Sequence, residues 1–158
     1  MPRGFLFSIL ILLTIAPAIG EIKKVLPHLL DKQGRHSDVP SLYERDAYQA
    51  WLHANLHLCR TLAFDIHWKA AKSRKPLELR LEYRAEKSTD TRSISVRLLP
   101  KNSSARWTRL QLTEDEFRNL GTVTMWRVTL WDEGRLVGEQ RSFLWSSQDE
   151  PPNREKGS

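Results

Sequence analysis

The stretch WRVTLWDEGRLVGEQRSFLW, Trp126 to Trp145, holds three of the chain's six tryptophans. Whether those indoles form a binding surface or the inside of a β-domain decides the fold. Asp132-Glu133-Gly134 joins two apolar-rich runs. Three linking residues with glycine last suit a type I turn followed by a left-handed glycine in a bulge. That turn sets Trp131 opposite Arg135. Counting back, Leu130 meets Leu136, Val128 meets Gly138 and Trp126 meets Gln140 on one face. Arg127 meets Glu139 on the other, an opposite-charge pair contributing roughly 0.2–1 kcal/mol. Trp126 therefore goes with the core and Trp131 with the opposite face. Val123, Met125, Phe143 and Trp145 share that second face, which then needs a cover or a bulge that switches the alternation. The amino-terminal helix described below is the expected cover.

Upstream, the period is that of strands with one wet and one dry face. Leu62, Phe64, Ile66, Trp68 and Ala70 alternate with Ala63, Asp65, His67 and Lys69. Leu77, Leu79, Leu81 and Tyr83 alternate with Glu78, Arg80, Glu82 and Arg84. Ile94, Val96 and Leu98 continue the theme in Ser93 to Leu99, and Pro100 stops it. Ala105 to Leu112 is a fourth strand with Leu110 and Leu112 inward. Thr113-Glu114-Asp115-Glu116 fits a capping box, so a short helix is expected over Glu114 to Leu120, with Gly121 at its left-handed end.

Before the strands, Ser41-Leu42-Tyr43-Glu44 is a second capping-box match. Tyr43, Ala47, Ala50, Trp51, Ala54 and Leu58 recur at helical spacing, which predicts a helix over residues 42–58 packed through that stripe. Residues 21–40, punctuated by Pro27, Gly34 and Pro40, read as an irregular extended segment. Six strands after one helix argue for a mainly β, two-layer antiparallel sandwich over residues 61–145, with a small β-barrel as the alternative. The single domain then runs from 41 to 145, and residues 146–158 read as a disordered tail. Trp51, Trp68 and Trp126 are core on this reading, Trp145 joins the covered end, and Trp107 and Trp131 are left exposed.

From Thr61 to Trp145 the chain resembles bacterial exported immunoglobulin-like or fibronectin-type domains. The resemblance rests on the closing hairpin, Trp126-Arg127-Val128 through Asp132-Glu133-Gly134 to Val137-Gly138-Glu139. It implies adhesion, scaffolding or an accessory role in a larger assembly, and no catalytic residues to carry over.

The first residues, MPRGFLFSILILLTIAPAIG, agree with export. Arg3 precedes an apolar run from Phe5 to Ile15, and Ala18-Ile19-Gly20 offers small residues before a cut at Glu21. Residues 1–20 read as a signal peptide. The run is shorter than the roughly 20 residues that span a bilayer. No stable membrane anchor is therefore expected after cleavage, and the destination is secreted or periplasmic. The chain has one cysteine, Cys59, so no internal disulfide is possible. Cys59 is expected to be buried and inert. The formal charge is +6, with 25 Lys+Arg against 19 Asp+Glu. Removal of Arg3 with the leader leaves 24 against 19. The charges are dispersed, which excludes nucleic acid as the expected partner.

Few constellations carry chemistry. His53 and His57 lie one helical turn apart, a spacing that can hold a metal, but no third ligand is fixed by it. Asp65 and His67 share a wet strand face without a nucleophile elbow. Glu114, Asp115 and Glu116 are explained by the helix dipole. Asn102-Ser103-Ser104 is a glycosylation sequon. Arg106-Trp107-Thr108-Arg109 is the most distinctive surface, because an outward indole beside a cation can stack on a sugar or engage an acidic group.

The expected function is a non-enzymatic exported module that binds another envelope or extracellular protein. One alternative is a carbohydrate-binding module using Trp107 and Trp131, with Arg106 and Arg109 beside the first. Another is a metal-binding protein through His53 and His57. No cofactor is expected.

Overall fold

In the computed structural model, residues 20–37, 41–71, 75–100 and 104–146 are described. The expected signal peptide up to residue 19, the sequon's first two residues and residues 147–158 lie outside them. Seven strands form two antiparallel sheets: β1 (Gly20–Asp31), β2 (Cys59–Ala70), β3 (Leu77–Ala85), β4 (Ser88–Leu98), β5 (Arg106–Gln111), β6 (Val123–Asp132) and β7 (Arg135–Arg141). One sheet runs β1-β2-β5 and the other β4-β3-β6-β7. Strands 1, 2 and 5 against 3, 6 and 7 is the A-B-E against C-F-G grouping of an immunoglobulin-like sandwich, here with β4 added beside β3. The barrel alternative falls away, since neither sheet closes.

The alternation read in the sequence is what fills the core. Phe64, Ile66 and Trp68 of β2 face Leu79, Leu81 and Tyr83 of β3 and Val128 and Leu130 of β6, all buried. Ile94, Val96 and Leu98 are only partly buried, because β4 is an edge strand.

The seventh strand corrects the reading of residues 21–40 as irregular. Gly20 to Asp31 pairs with β2 along its length, and Ile22, Val25 and Leu29 join the core. Residues from Gly20 on thus belong to the packed domain, ahead of the expected start at 41. Pro27 is accommodated because β1 is an edge strand, where a missing N–H is tolerated.

Helix α1 spans Leu42–Ala54, and a separate 3₁₀ turn covers Leu56–Leu58, so the expected continuous helix over 42–58 breaks at Asn55. Ser41 makes no side-chain cap bond. The helix docks on β1 through the side opposite its apolar stripe. Leu52 is buried, and the Tyr48 hydroxyl donates to Asp31 Oδ2 at 2.7 Å. The Gln49 amide accepts from the Leu29 N–H at 2.9 Å and donates to the Leu29 carbonyl at 3.0 Å. A side chain thereby takes the place of a neighbouring strand at the edge of β1. Trp51, expected in the core, is 48% exposed. Helix α2 spans Glu114–Leu120 and has its capping box, with Thr113 Oγ1 accepting from the Glu116 N–H.

The β6–β7 hairpin corrects the three-residue turn. Asp132 pairs with Arg135, leaving Glu133 (φ 48°) and Gly134 (φ 85°) as a two-residue turn with both φ positive, as a type I′ turn requires. Trp131 then meets Leu136, and a bulge at Val137 sets Leu130 opposite Gly138. Arg127 meets Arg141 instead of Glu139, and its acidic neighbour is Glu82 on β3, at 3.4 Å. Trp145 is buried, with the Arg84 guanidinium 6.0 Å above its ring, whereas Phe143 is fully exposed. The expected cover from the amino-terminal helix is absent from this sheet, because α1 sits on β1 of the other.

Candidate functional site

The outer face of the three-stranded sheet gathers the polar chemistry. Registry builds it in rows: Lys24, His67 and Trp107 stand side by side, then Leu26, Asp65 and Arg109, then His28, Ala63 and Gln111. The Arg109 guanidinium donates to both Asp65 oxygens, at 2.6 and 2.8 Å. His28 Nε2 lies 3.0 Å from Asp65 Oδ2. Burial pushes the Asp65 carboxyl up, but the hydrogen bond and charge of Arg109, helped by His28, outweigh it and hold it below the ordinary value. Burial pushes the His28 imidazole below its ordinary 6.5, against the pull of Asp65, with His36 and Arg109 adding to the fall. His28 is therefore a neutral N–H donor near pH 7. The three groups clasp β1, β2 and β5 together.

His28 also stacks on His36, with ring centroids 4.9 Å apart. His67 stacks on Trp107 at 4.6 Å and within 9° of parallel. A shallow concavity of about 290 Å³ lies here, lined by Leu26, His28, His36, Arg45, Asp65 and Trp107. The expectation that Trp107 faces out holds, at 54% exposed. Arg109 stands beside it, with Asp65 as its partner. Arg106 turns the other way, its guanidinium 5.7 Å above the buried Trp68 ring. Trp131 is half-buried on the other sheet, beneath Arg80 at 5.6 Å and bonded through its N–H to Thr129. Trp107 and Trp131 thus belong to the outer faces of different sheets, and one flat ligand cannot rest on both.

At one end of the sandwich lies the larger cleft, about 720 Å³, edged by Lys32, Arg60, Lys87, Arg118, Glu86 and Glu114. Arg60 is ion-paired with Glu114. Cys59 is on its wall, and burial, then the Asp31 charge, raises its thiol above the ordinary value. Adjacent is an apolar slot of about 150 Å³ between the sheets, walled by Leu29, Leu62, Phe64, Phe117, Val123 and Trp126. His53 lines the slot and His57 the cleft. The break at Asn55 removes the shared helical face that the His53/His57 metal reading requires. Among the described residues, no three His, Cys, Asp or Glu side chains converge as metal ligands.

The sequence did not point to His28 or His36, which fall in the segment read as irregular. No strand period exposes them, because residues 28–31 are buried on both faces and His36 lies beyond the end of β1.

Among the described residues, large apolar side chains are also exposed at Leu56, Leu99, Leu136, Phe143 and Leu144, and a contiguous set lies on α1. Tyr43 is 84% exposed, and Ala47, Ala50, Trp51 and Ala54 are exposed with it, as is Leu42. The stripe expected to be buried faces away from the sandwich. Comparison with protein-family models and with curated proteins finds no match to this chain.

Proposed function

We propose that the chain is a non-enzymatic, exported interaction module of the immunoglobulin-like kind, which docks an envelope or extracellular protein through the outward face of α1. The carrying observation is the orientation of that helix. Arg45, Tyr48, Gln49 and Leu52 turn toward the sandwich, while Tyr43, Ala47, Ala50, Trp51 and Ala54 turn to solvent. Tyr and Trp are the residue types that dominate binding hot spots. Glu44 and Asp46 flank the amino-terminal end of the stripe, which favours a partner groove with a basic rim at that end. Export rests on the leader pattern of residues 1–20. Among the described residues no helix is long and apolar enough to cross a membrane.

The test is partner capture from envelope and secreted fractions at moderate salt, run in parallel with Tyr43→Lys/Trp51→Lys. One protein retained by the parent, lost by the double variant and reconstituted at fixed stoichiometry supports the reading. Retention unaffected by the double variant overturns the docking face. Concentration-dependent dimerisation abolished by the same change would replace the foreign partner with a second copy.

A second reading has one observation behind it. Trp107, propped flat by His67 beside a polar concavity, can stack a single sugar ring. Trp107→Ala abolishing retention on a glycan array would support it; an array with no binding to the parent would end it.

A further inference from the structure

We propose that the end of the sandwich binds a small single-chain amphiphile with an anionic head, its tail in the slot between the sheets and its head in the cleft. This is independent of any contact made by α1's outward face. The slot exists because β7 stops at Arg141, opposite Arg127, while β6 begins at Val123. Ser142 still bonds the Trp126 backbone, its N–H donating to the Trp126 carbonyl at 2.9 Å, so the side left without a strand partner from β7 is Val123 to Met125. Leu29, Leu62 and Phe64 of one sheet and Val123 and Trp126 of the other face a common space of about 150 Å³. Pro27, His53, Thr122 and Thr124 complete the lining, and a hydrocarbon arm laid along the sheet residues would remove their apolar surface from water.

The slot and the cleft are neighbours, with Phe117 and Thr122 forming walls of both. The cleft is polar and positively biased. Lys32, Arg60, Lys87 and Arg118 stand against Glu86 and Glu114; Arg60 is paired with Glu114 and Arg118 with Asp115 at 3.7 Å, so Lys32 and Lys87 are the cations offered to a head group. An apolar recess that opens beside an excess of cations fits a ligand with one short hydrocarbon arm and one carboxylate. A neutral alcohol would use only the slot, and a bare carboxylate only the cleft.

The single cysteine supplies the readout, because Cys59 lines the cleft. Its alkylation rate is measured on the purified protein with octanoate, octanol or acetate below their aggregation limits. Octanoate at about ten times its Kd should slow alkylation about tenfold, with octanol and acetate each clearly weaker. Lys32→Glu/Lys87→Glu should remove the advantage of octanoate over octanol. Val123→Phe, at the partly buried rim, should remove its advantage over acetate, and an unchanged circular dichroism spectrum shows that the variant is folded. Equal protection by acetate and octanoate would overturn the role of the slot. Equal protection by octanol and octanoate would overturn the role of the cations, and no protection by octanoate overturns the site.

Discussion

Gly138 shows how a single atom constrains this fold. A Cβ built there would lie 3.1 Å from the Ile22 backbone N and 3.3 Å from the Glu21 Cα. The obstacle is the main chain of β1 crossing over β7, which cannot swing aside as a side chain would. Gly138→Ala should therefore lower stability by about 1–3 kcal/mol, read as a shift in the urea midpoint; an unchanged midpoint would mean that β1 does not pass this close. His28 makes a different demand, on pH. Its folded-state value lies below the ordinary 6.5, and the groups that face it are Asp65 on β2, Arg109 on β5, and His36. Between the two values the unfolded chain binds the extra proton, so stability is complete above about 6.5 and falls as the pH drops from there toward the folded value. Asp65 is depressed as well, but its contribution is present above 3.8 and is lost only below that. The melting temperature should thus fall between pH 7 and pH 5, and His28→Gln, which keeps an N–H for Asp65 but cannot titrate, should reduce that fall. Equal slopes for parent and variant would show that His28 is not held neutral by its burial.

Two elements carry the same Ser/Thr-x-x-Glu signature and differ in what it does. At α2, Thr113 Oγ1 accepts from Glu116 N–H, and the Glu116 carboxylate accepts from Thr113 N–H at 2.9 Å and from the Tyr83 hydroxyl at 3.4 Å. The same carboxylate therefore caps the helix and ties it to β3. At α1, Ser41 makes no such bond, and the helix is held by Gln49, Tyr48 and Leu52 against β1. Thr113→Ala should cost about 1 kcal/mol, while Ser41→Ala should stay within about 0.5 kcal/mol of the parent; chemical denaturation of both variants decides it. The contrast explains what was legible. Strands 62–70 and 77–85 could be read because each has one dry and one wet face, so alternation maps onto burial. β1 could not, because its register shifts at Ile22/Lys24 and residues 28–31 are buried on both faces, which erases the alternation. Pro27 added a false stop. The stripe of α1 was read correctly as a stripe but assigned to the wrong side, since the helix docks largely through hydrogen bonds that leave no apolar period. Of the polar surface, Trp107 and Arg109 followed from strand parity. His28 and His36 required knowing that β1 exists.

At the scale of the whole molecule, β1 joins the parts that would otherwise be separate. It pairs with β2 in one sheet and packs beside β6 and β7 of the other. It contributes Ile22, Val25 and Leu29 to the core, and its last residue, Asp31, anchors α1 through Tyr48. Burial raises the Asp31 carboxyl, yet the Arg35 backbone N–H, the Tyr48 hydroxyl and the Arg35 guanidinium outweigh it, so this buried acid stays charged near neutral pH. Without β1 that charge and its partners have no place to meet, and β2 becomes an open edge beside an uncovered core. With one cysteine in the chain there is no internal disulfide to compensate. A chain of residues 41–158 should therefore lack a cooperative thermal transition and show little amide dispersion, although it contains every strand that alternation reveals. Supplying residues 20–31 as a separate peptide should restore dispersion to the shortened chain and return the Asp65 and Arg109 resonances to their parent positions, because the missing strand also brings His28 back to its carboxylate. A cooperative melt of residues 41–158 at the parent midpoint would show that β1 is an appendage, and the clasp on the outer face would then have to be a consequence of the fold with no part in holding it.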